Sequence, residues 1–140
     1  MTDLLDVNVW LALADENHQH HTVAASYWAE QAAPSVAFTR VTMLAFLRLS
    51  TRPGVLTRAL SVDEAWRLYR EYRSREAIGF LTDSPGLDEV YETLTTSEGF
   101  TYRLWTDSYL AALAIATGSR LVSFDADFGR FVGLSFLHLK

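Results

Sequence analysis

The chain has 140 residues, 49% of them hydrophobic, 13% aromatic and 21% charged, a composition that supplies a core and excludes disorder as the dominant state. Its length suits one domain over residues 1–140, burying roughly 68–70% of the surface that the unfolded chain exposes. Twelve Lys and Arg against seventeen Asp and Glu leave a net charge of −5. That argues against a polybasic nucleic-acid binder, whose affinity comes from neutralising phosphates, but not against a nuclease that reaches phosphate through bound metal. With no cysteine, disulfide scaffolds, thiolate zinc sites and cysteine catalysis are excluded. Met1-Thr2-Asp3 brings no basic region before the first apolar stretch, and no run approaches eighteen apolar residues. The sequence therefore predicts neither a signal peptide nor a membrane span, and a cytoplasmic protein.

In chain order, Leu4-Leu5 reads as a buried strand ending at Asp6, followed by a helical apolar segment from Val9 to Ala14. After the polar break Asp15-Glu16-Asn17, a helix is predicted over His21 to Gln31, a short strand over Ser35 to Phe38 and a helix over Val41 to Leu49, stopped by Pro53-Gly54. Ser61 with Glu64 has capping-box spacing and opens a helix reaching Glu76, on which Ala65, Leu68, Tyr69 and Tyr72 recur at helical intervals. A strand over Ala77 to Leu81 and a helix over Leu87 to Thr95 follow. Thr106 is expected to cap a helix running to Thr117, and Gly118 stands where a left-handed residue ends it. Strands over Leu121 to Phe124 and Leu134 to Leu139 close the chain. Such alternation predicts an α/β fold, a three-layer α/β/α sandwich with a mainly parallel central sheet.

In parallel sheets, ligands sit outside the carboxyl ends of the strands. Asp6 ends the first strand, Asp125 ends the penultimate one, and Asp107 lies in the first turn of the helix between them. Each alone fits a plain structural role: Asp6 as a cap or an Asx turn with Asn8, Asp107 as a complement to the helix dipole, Asp125 and Asp127 as turn residues. Together on one rim they favour a shared site. Two carboxylates about 5 Å apart repel by roughly 3 kcal/mol at an effective dielectric near 20. A cluster therefore implies raised pKa values or a divalent cation. Mg²⁺ favours carboxylate, water and phosphate oxygens, and Asp127, two residues beyond Asp125, is a further candidate ligand.

Three segments in order, Leu4-Leu5-Asp6-Val7-Asn8-Val9, Trp105-Thr106-Asp107-Ser108-Tyr109-Leu110-Ala111-Ala112-Leu113-Ala114 and Leu121-Val122-Ser123-Phe124-Asp125, resemble the PIN-domain family. More narrowly, the chain is similar to the VapC-type toxins of bacterial toxin–antitoxin pairs. The similarity spans nearly the whole chain and is weakest between Arg52 and Gly99. It implies a compact α/β/α sandwich and a Mg²⁺- or Mn²⁺-dependent endoribonuclease, commonly a homodimer and inhibited by a cognate antitoxin. By position, Asp6, Asp107 and Asp125 match the catalytic, metal-holding acids, with Asp127 as possible help, Asn8 supports the first of them, and Ser123 matches a small hydroxyl residue near the site. One departure stands out. Met43 occupies the place where many members carry a Glu in the helix after the second strand, and a thioether is a poor ligand for a hard cation. The free protein is accordingly expected to hold its metal weakly.

Other groups carry weaker signals. His18, His20 and His21 are spaced by two and one, which fits neither helical pairing nor a zinc site, and they read as a solvated helix entry; His138 reads as a surface or edge residue. Eleven of the twelve basic residues are Arg. Arg40, Arg48, Arg103 and Arg130 are candidate RNA contacts, against the plainer reading of ordinary surface charge. Trp28, Trp66, Tyr69 and Tyr72 either fill the core or pack against an antitoxin. A haloacid-dehalogenase-type phosphatase or a receiver domain would need a Lys that the chain lacks before Lys140. The stronger rival is a PIN-like binding module whose metal site is degenerate at Met43.

Overall fold

Strand and helix alternate throughout the computed structural model, which describes residues 1–140. β1 (Thr2–Leu5) leads to α1 (Val7–Ala14) and α2 (His21–Glu30), and β2 (Ser35–Thr39) to α3 (Arg40–Ser50) and α4 (Val62–Arg73). β3 (Ile78–Leu81) is followed by α5 (Leu87–Thr95), a 3₁₀ turn at Tyr102–Leu104 and α6 (Trp105–Thr117). β4 (Arg120–Ser123) passes through a second 3₁₀ turn, Ala126–Arg130, into β5 (Ser135–His138).

The strands form one sheet in the order β3-β2-β1-β4-β5, every neighbouring pair parallel. From β1 the chain first builds outward through β2 to β3, then returns to the other side of β1 and builds outward again from β4 to β5. The direction of winding thus reverses between β1 and β4, which opens a crevice at their carboxyl ends. Side chains alternate across the pleat. Leu5, Val122, Val36 and Phe38 face one layer with Trp10, Phe46 and Tyr69, whereas Leu4 and Leu121 face the other with Leu87, Leu110 and Leu113. Helices α1 to α4 supply the first core and α5 and α6 the second, the three layers that the alternation predicts.

Local signals account for most boundaries. The Ser61–Glu64 capping box forms, Ser61 Oγ accepting from the Glu64 amide at 3.1 Å and a Glu64 oxygen accepting from the Ser61 amide at 2.9 Å. Gly118 ends α6 at φ 67°, where a side chain would be strained. The departures are also local. Thr106 is not the cap of α6: the 3₁₀ turn winds the chain early, and the helix begins at Trp105. Helix α3 stops at Ser50, before Pro53-Gly54, and α4 stops at Arg73, with Ser74 as its cap. Strand β4 ends at Ser123, so Asp125 lies beyond it and caps the following 3₁₀ turn.

At the amino ends of the strands, the fully buried Asp3 accepts from Arg120 Nε and Nη2 at 2.8 and 2.9 Å, from the Tyr27 hydroxyl at 2.6 Å and from the Ala33 amide at 3.0 Å. This network ties β1, β4, α2 and the segment entering β2. Burial and the Asp3 carboxylate together push the Tyr27 hydroxyl well above the usual phenol range.

Candidate active site

The register Leu4↔Leu121 and Leu5↔Val122 places the next residues, Asp6 and Ser123, side by side at the mouth of the β1/β4 crevice. Ser123, fully buried, is the hub. Its hydroxyl donates to Asp6 Oδ2 at 2.7 Å and accepts from Asn8 Nδ2 at 3.1 Å and from the Asp125 amide at 2.9 Å. Asn8 Oδ1 accepts from the Phe124 amide at 3.3 Å. Asp6 is also the cap of α1, its Oδ1 accepting from the Val7 amide at 2.8 Å. The capping role and the crevice position are therefore the same geometry. Asn8 forms no Asx turn with Asp6 but reaches across to β4.

Asp107 enters from the first turn of α6. Its pKa is pushed up to about 6, first by burial and then by the charges of Asp6, Asp125 and Asp127. Burial raises Asp6 as well; the Ser123 and Val7 hydrogen bonds lower it in part, and the Asp125 charge adds to the rise. Carboxylates delivered by the ends of β1 and β4 and the start of α6 thus sense one another across the crevice. Asp125 Oδ1 accepts from the Asp127 amide at 2.9 Å, which holds the turn that carries both.

A second polar pairing was not legible in the sequence. The Tyr109 hydroxyl donates to Asp83 at 2.6 Å. Burial, then the Asp83 carboxylate, push its pKa up to about 12, and the Thr39 hydroxyl at the end of β2 pulls the other way. The signals were present, a Tyr two residues after Asp107 and an Asp after β3, but their pairing spans 26 residues. His20 stacks on Phe124 with centroids 4.5 Å apart, next to Asp125 in the chain, and His21 Nδ1 lies 2.7 Å from the Ala12 carbonyl. Burial, then the nearby His20, hold His18 below the ordinary imidazole value. The trio is thus half-buried packing at the α1–α2 turn rather than a solvated helix entry. His138 sits on the edge strand β5 with Nε2 3.1 Å from the Phe124 carbonyl.

Met43 is 6% exposed and belongs to the buried core cluster that includes Phe38, Phe46 and Tyr69. Arg40 covers it, Nη1 lying 3.2 Å from the Met43 sulfur and the guanidinium 4.7 Å over the Phe80 ring. Met43→Glu is therefore expected to lower stability by about 1–3 kcal/mol, the usual range for a poorly paired buried polar group, with Arg40 limiting the loss. Mn²⁺ affinity should not change. Melting curves with calorimetric Mn²⁺ titration check this, and tighter Mn²⁺ binding at unchanged stability would put residue 43 in the crevice instead.

Of the candidate basic contacts, Arg103 and Arg130 flank α6 and the turn after Asp127. Arg48 lies in the last turn of α3, about 12 Å along the axis from its start, among Leu47, Val62 and Trp66 and away from the crevice. Tyr69 is core, Trp28 and Tyr72 pack against that core, and Trp66 is 36% exposed.

Known proteins resemble this chain in sequence and in fold. The model of the PIN domain matches residues 4–134. The chain is 33% identical over 137 residues to "Ribonuclease VapC41" of Mycobacterium tuberculosis, covering 94% of each. Its fold matches VapBC2 from Rickettsia felis bound to a promoter DNA fragment, at 16% identity, full coverage of both chains and a TM-score of 0.71. It likewise matches a toxin–antitoxin complex from Klebsiella pneumoniae, at 17% identity, 94% coverage of both chains and a TM-score of 0.60.

Proposed function

Since the chain belongs to the PIN-domain family and, within it, to the VapC ribonuclease toxins, we propose that it hydrolyses RNA phosphodiester bonds at the β1/β4 crevice with Mg²⁺ or Mn²⁺. The observation that carries this reading is the meeting of carboxylates from three separate elements at one crevice, where burial first and neighbouring negative charge second raise Asp6 and Asp107. Repulsion of this kind is relieved by a cation or by protons. The donor set is all hard oxygen, which suits a hard divalent cation. No three acidic or imidazole side chains converge closely enough to enclose an ion by themselves. The residues therefore suit an ion whose remaining ligands are water and substrate phosphate, the usual habit of Mg²⁺.

Asp6 and Asp107 would hold the principal ion, with Asp125, helped by Asp127, completing the site and orienting the attacking water. When bound, the ion supplies Lewis acidity that polarises the phosphodiester and eases deprotonation of water. Ser123 and Asn8 keep Asp6 Oδ2 turned into the crevice, a positioning role. The rival reading is a binding module whose site lacks the carboxylate that Met43 replaces, and a cleavage assay separates the two.

The test is cleavage of a mixed RNA pool by wild type and Asp6→Asn in Mg²⁺, each with and without EDTA. Either perturbation should reduce the rate by about a hundredfold or more. Cleavage that survives both equally would sink the metal-nuclease reading. We further infer a homodimer in the cytoplasm, bound by a small, basic, flexible antitoxin. The toxin–antitoxin complex among the structural neighbours and the net charge of −5 support the basic partner. Co-purification with the product of an adjacent open reading frame tests the partner.

A further inference from the structure

We infer that the cavity between the end of α5 and the turn after Asp125 receives a guanine base of the RNA strand, unstacked beside the scissile phosphate. This rests on the ribonuclease reading above and adds a specificity element to it. The cavity measures about 460 Å³, within the range of small-molecule sites and large enough for a nucleoside. One wall is the end of α5 with the loop after it, and the others continue the two segments that carry Asp107 and Asp125. Leu104 lies one helical turn before Asp107, and Arg130 and Phe131 follow Asp125 and Asp127 through the 3₁₀ turn. A base seated there belongs to a nucleotide adjoining the crevice.

The lining has the chemistry of base recognition. Phe100 and Phe131 present rings, and Phe100 is held edge-on to Trp105 at 4.8 Å. Trp105 is itself 51% exposed at the rim, its carbonyl accepting from the Tyr91 hydroxyl at 2.8 Å. Next to it, Tyr102 is 75% exposed with the Arg103 guanidinium 5.8 Å over its ring. Exposed aromatics interleaved with Arg form a stacking platform for single-stranded nucleic acid, and here they stand out from an otherwise acidic chain. Two charged groups then choose the base. Glu98 is the only carboxylate lining the cavity, and the ion pairs of the chain lie elsewhere. A carboxylate is a double acceptor, and guanine alone among RNA bases offers two adjacent donors, N1–H and N2–H. Arg130 donates one N–H to the Gly99 carbonyl at 3.4 Å, which leaves others for guanine O6 and N7, the favoured acceptors of Arg.

The test uses the whole chain in EDTA, titrated with 5′-GMP and with 5′-UMP and followed by amide NMR shifts. GMP should give saturable shifts at the cavity residues and bind about tenfold more tightly than UMP. Glu98→Gln should narrow that ratio towards one, and Ser97→Trp, which fills the cavity, should weaken both nucleotides. Melting curves of the variants confirm that they fold. In Mg²⁺, mapped cuts in the RNA pool should cluster beside guanine for wild type and lose that bias in Glu98→Gln. Equal affinity for the two nucleotides, shifts confined to other surfaces, or a cavity shielded only by a co-purified protein would overturn the inference. Metal-dependent cleavage with no base bias would overturn it and leave the ribonuclease reading standing. GMP selectivity without metal-dependent cleavage would refute the ribonuclease reading and uphold a guanine pocket.

Discussion

Asp107→Asn should raise the melting temperature of the metal-free protein at pH 7 while reducing RNA cleavage by about a hundredfold or more. The sign of the stability effect follows from the direction of the pKa shift. Burial and three neighbouring carboxylates hold Asp107 at about 6 in the folded chain against 3.8 for the free side chain, and no hydrogen bond opposes them. Between those values the folded state binds more protons than the unfolded state, so stability falls as pH rises through that window. Above it the ionised Asp107 is a net cost to folding, which a neutral Asn removes. A shift of about two units corresponds to about 3 kcal/mol. Asp107 is partly open to solvent, so after screening the gain should be on the order of 1–2 kcal/mol. The wild type should therefore lose stability from about pH 4 to pH 6, and the variant should lose less. Mn²⁺ should restore the wild type, because a ligand that binds only the folded state stabilises it, and should do little for the variant. Melting curves in EDTA and in Mn²⁺ across pH 4–8 check both halves. A variant that melts lower than wild type in EDTA at pH 7 would mean that Asp107 supports the fold rather than straining it.

The opposite outcome is expected at the other end of the sheet. Asp3→Ala should destabilise the protein by about 3 kcal/mol, at the lower end of the range for breaking a buried ion pair. Asp3 is fully buried, and its removal strands the Arg120 guanidinium, the Tyr27 hydroxyl and the Ala33 amide together. The Arg120 side chain is 27% exposed, so water takes up part of the loss. Urea unfolding should show the midpoint moving with little change in slope. RNA cleavage by the fraction that stays folded should be unaffected, because the carboxylates of the crevice lie at the carboxyl ends of the strands. A loss below about 1 kcal/mol would mean that the pair only balances its desolvation.

Asp3 and Asp6 show how far one dimension carries. They are three residues apart and chemically identical, yet one is a buried strut and the other faces the candidate metal site. The strand–helix alternation, the Ser61–Glu64 cap and the Gly118 stop were legible because each depends on residues within one or two turns of one another. The rim position of Asp6, Asp107 and Asp125 was legible too. In a parallel sheet every strand ends on the same side, so an Asp at the end of one strand, an Asp after another and an Asp at a helix start share a face whatever the details. What each side chain does on that face was not legible. Ser123 finds Asp6 across 117 residues, Tyr109 finds Asp83 across 26, and Arg120 finds Asp3 across 117. Met43 illustrates the same limit on a single helix. Its burial in one cluster with Phe38, Phe46 and Tyr69 joins residues from β2, α3 and α4, which no reading along α3 alone supplies. The sequence alone therefore determined the order of elements and the rim that carries the acids, since those follow from local propensity and parallel pairing. Only the tertiary structure decided which carboxylates meet, which are neutralised and where a base-sized cavity opens beside them, because those contacts join residues that the chain keeps far apart.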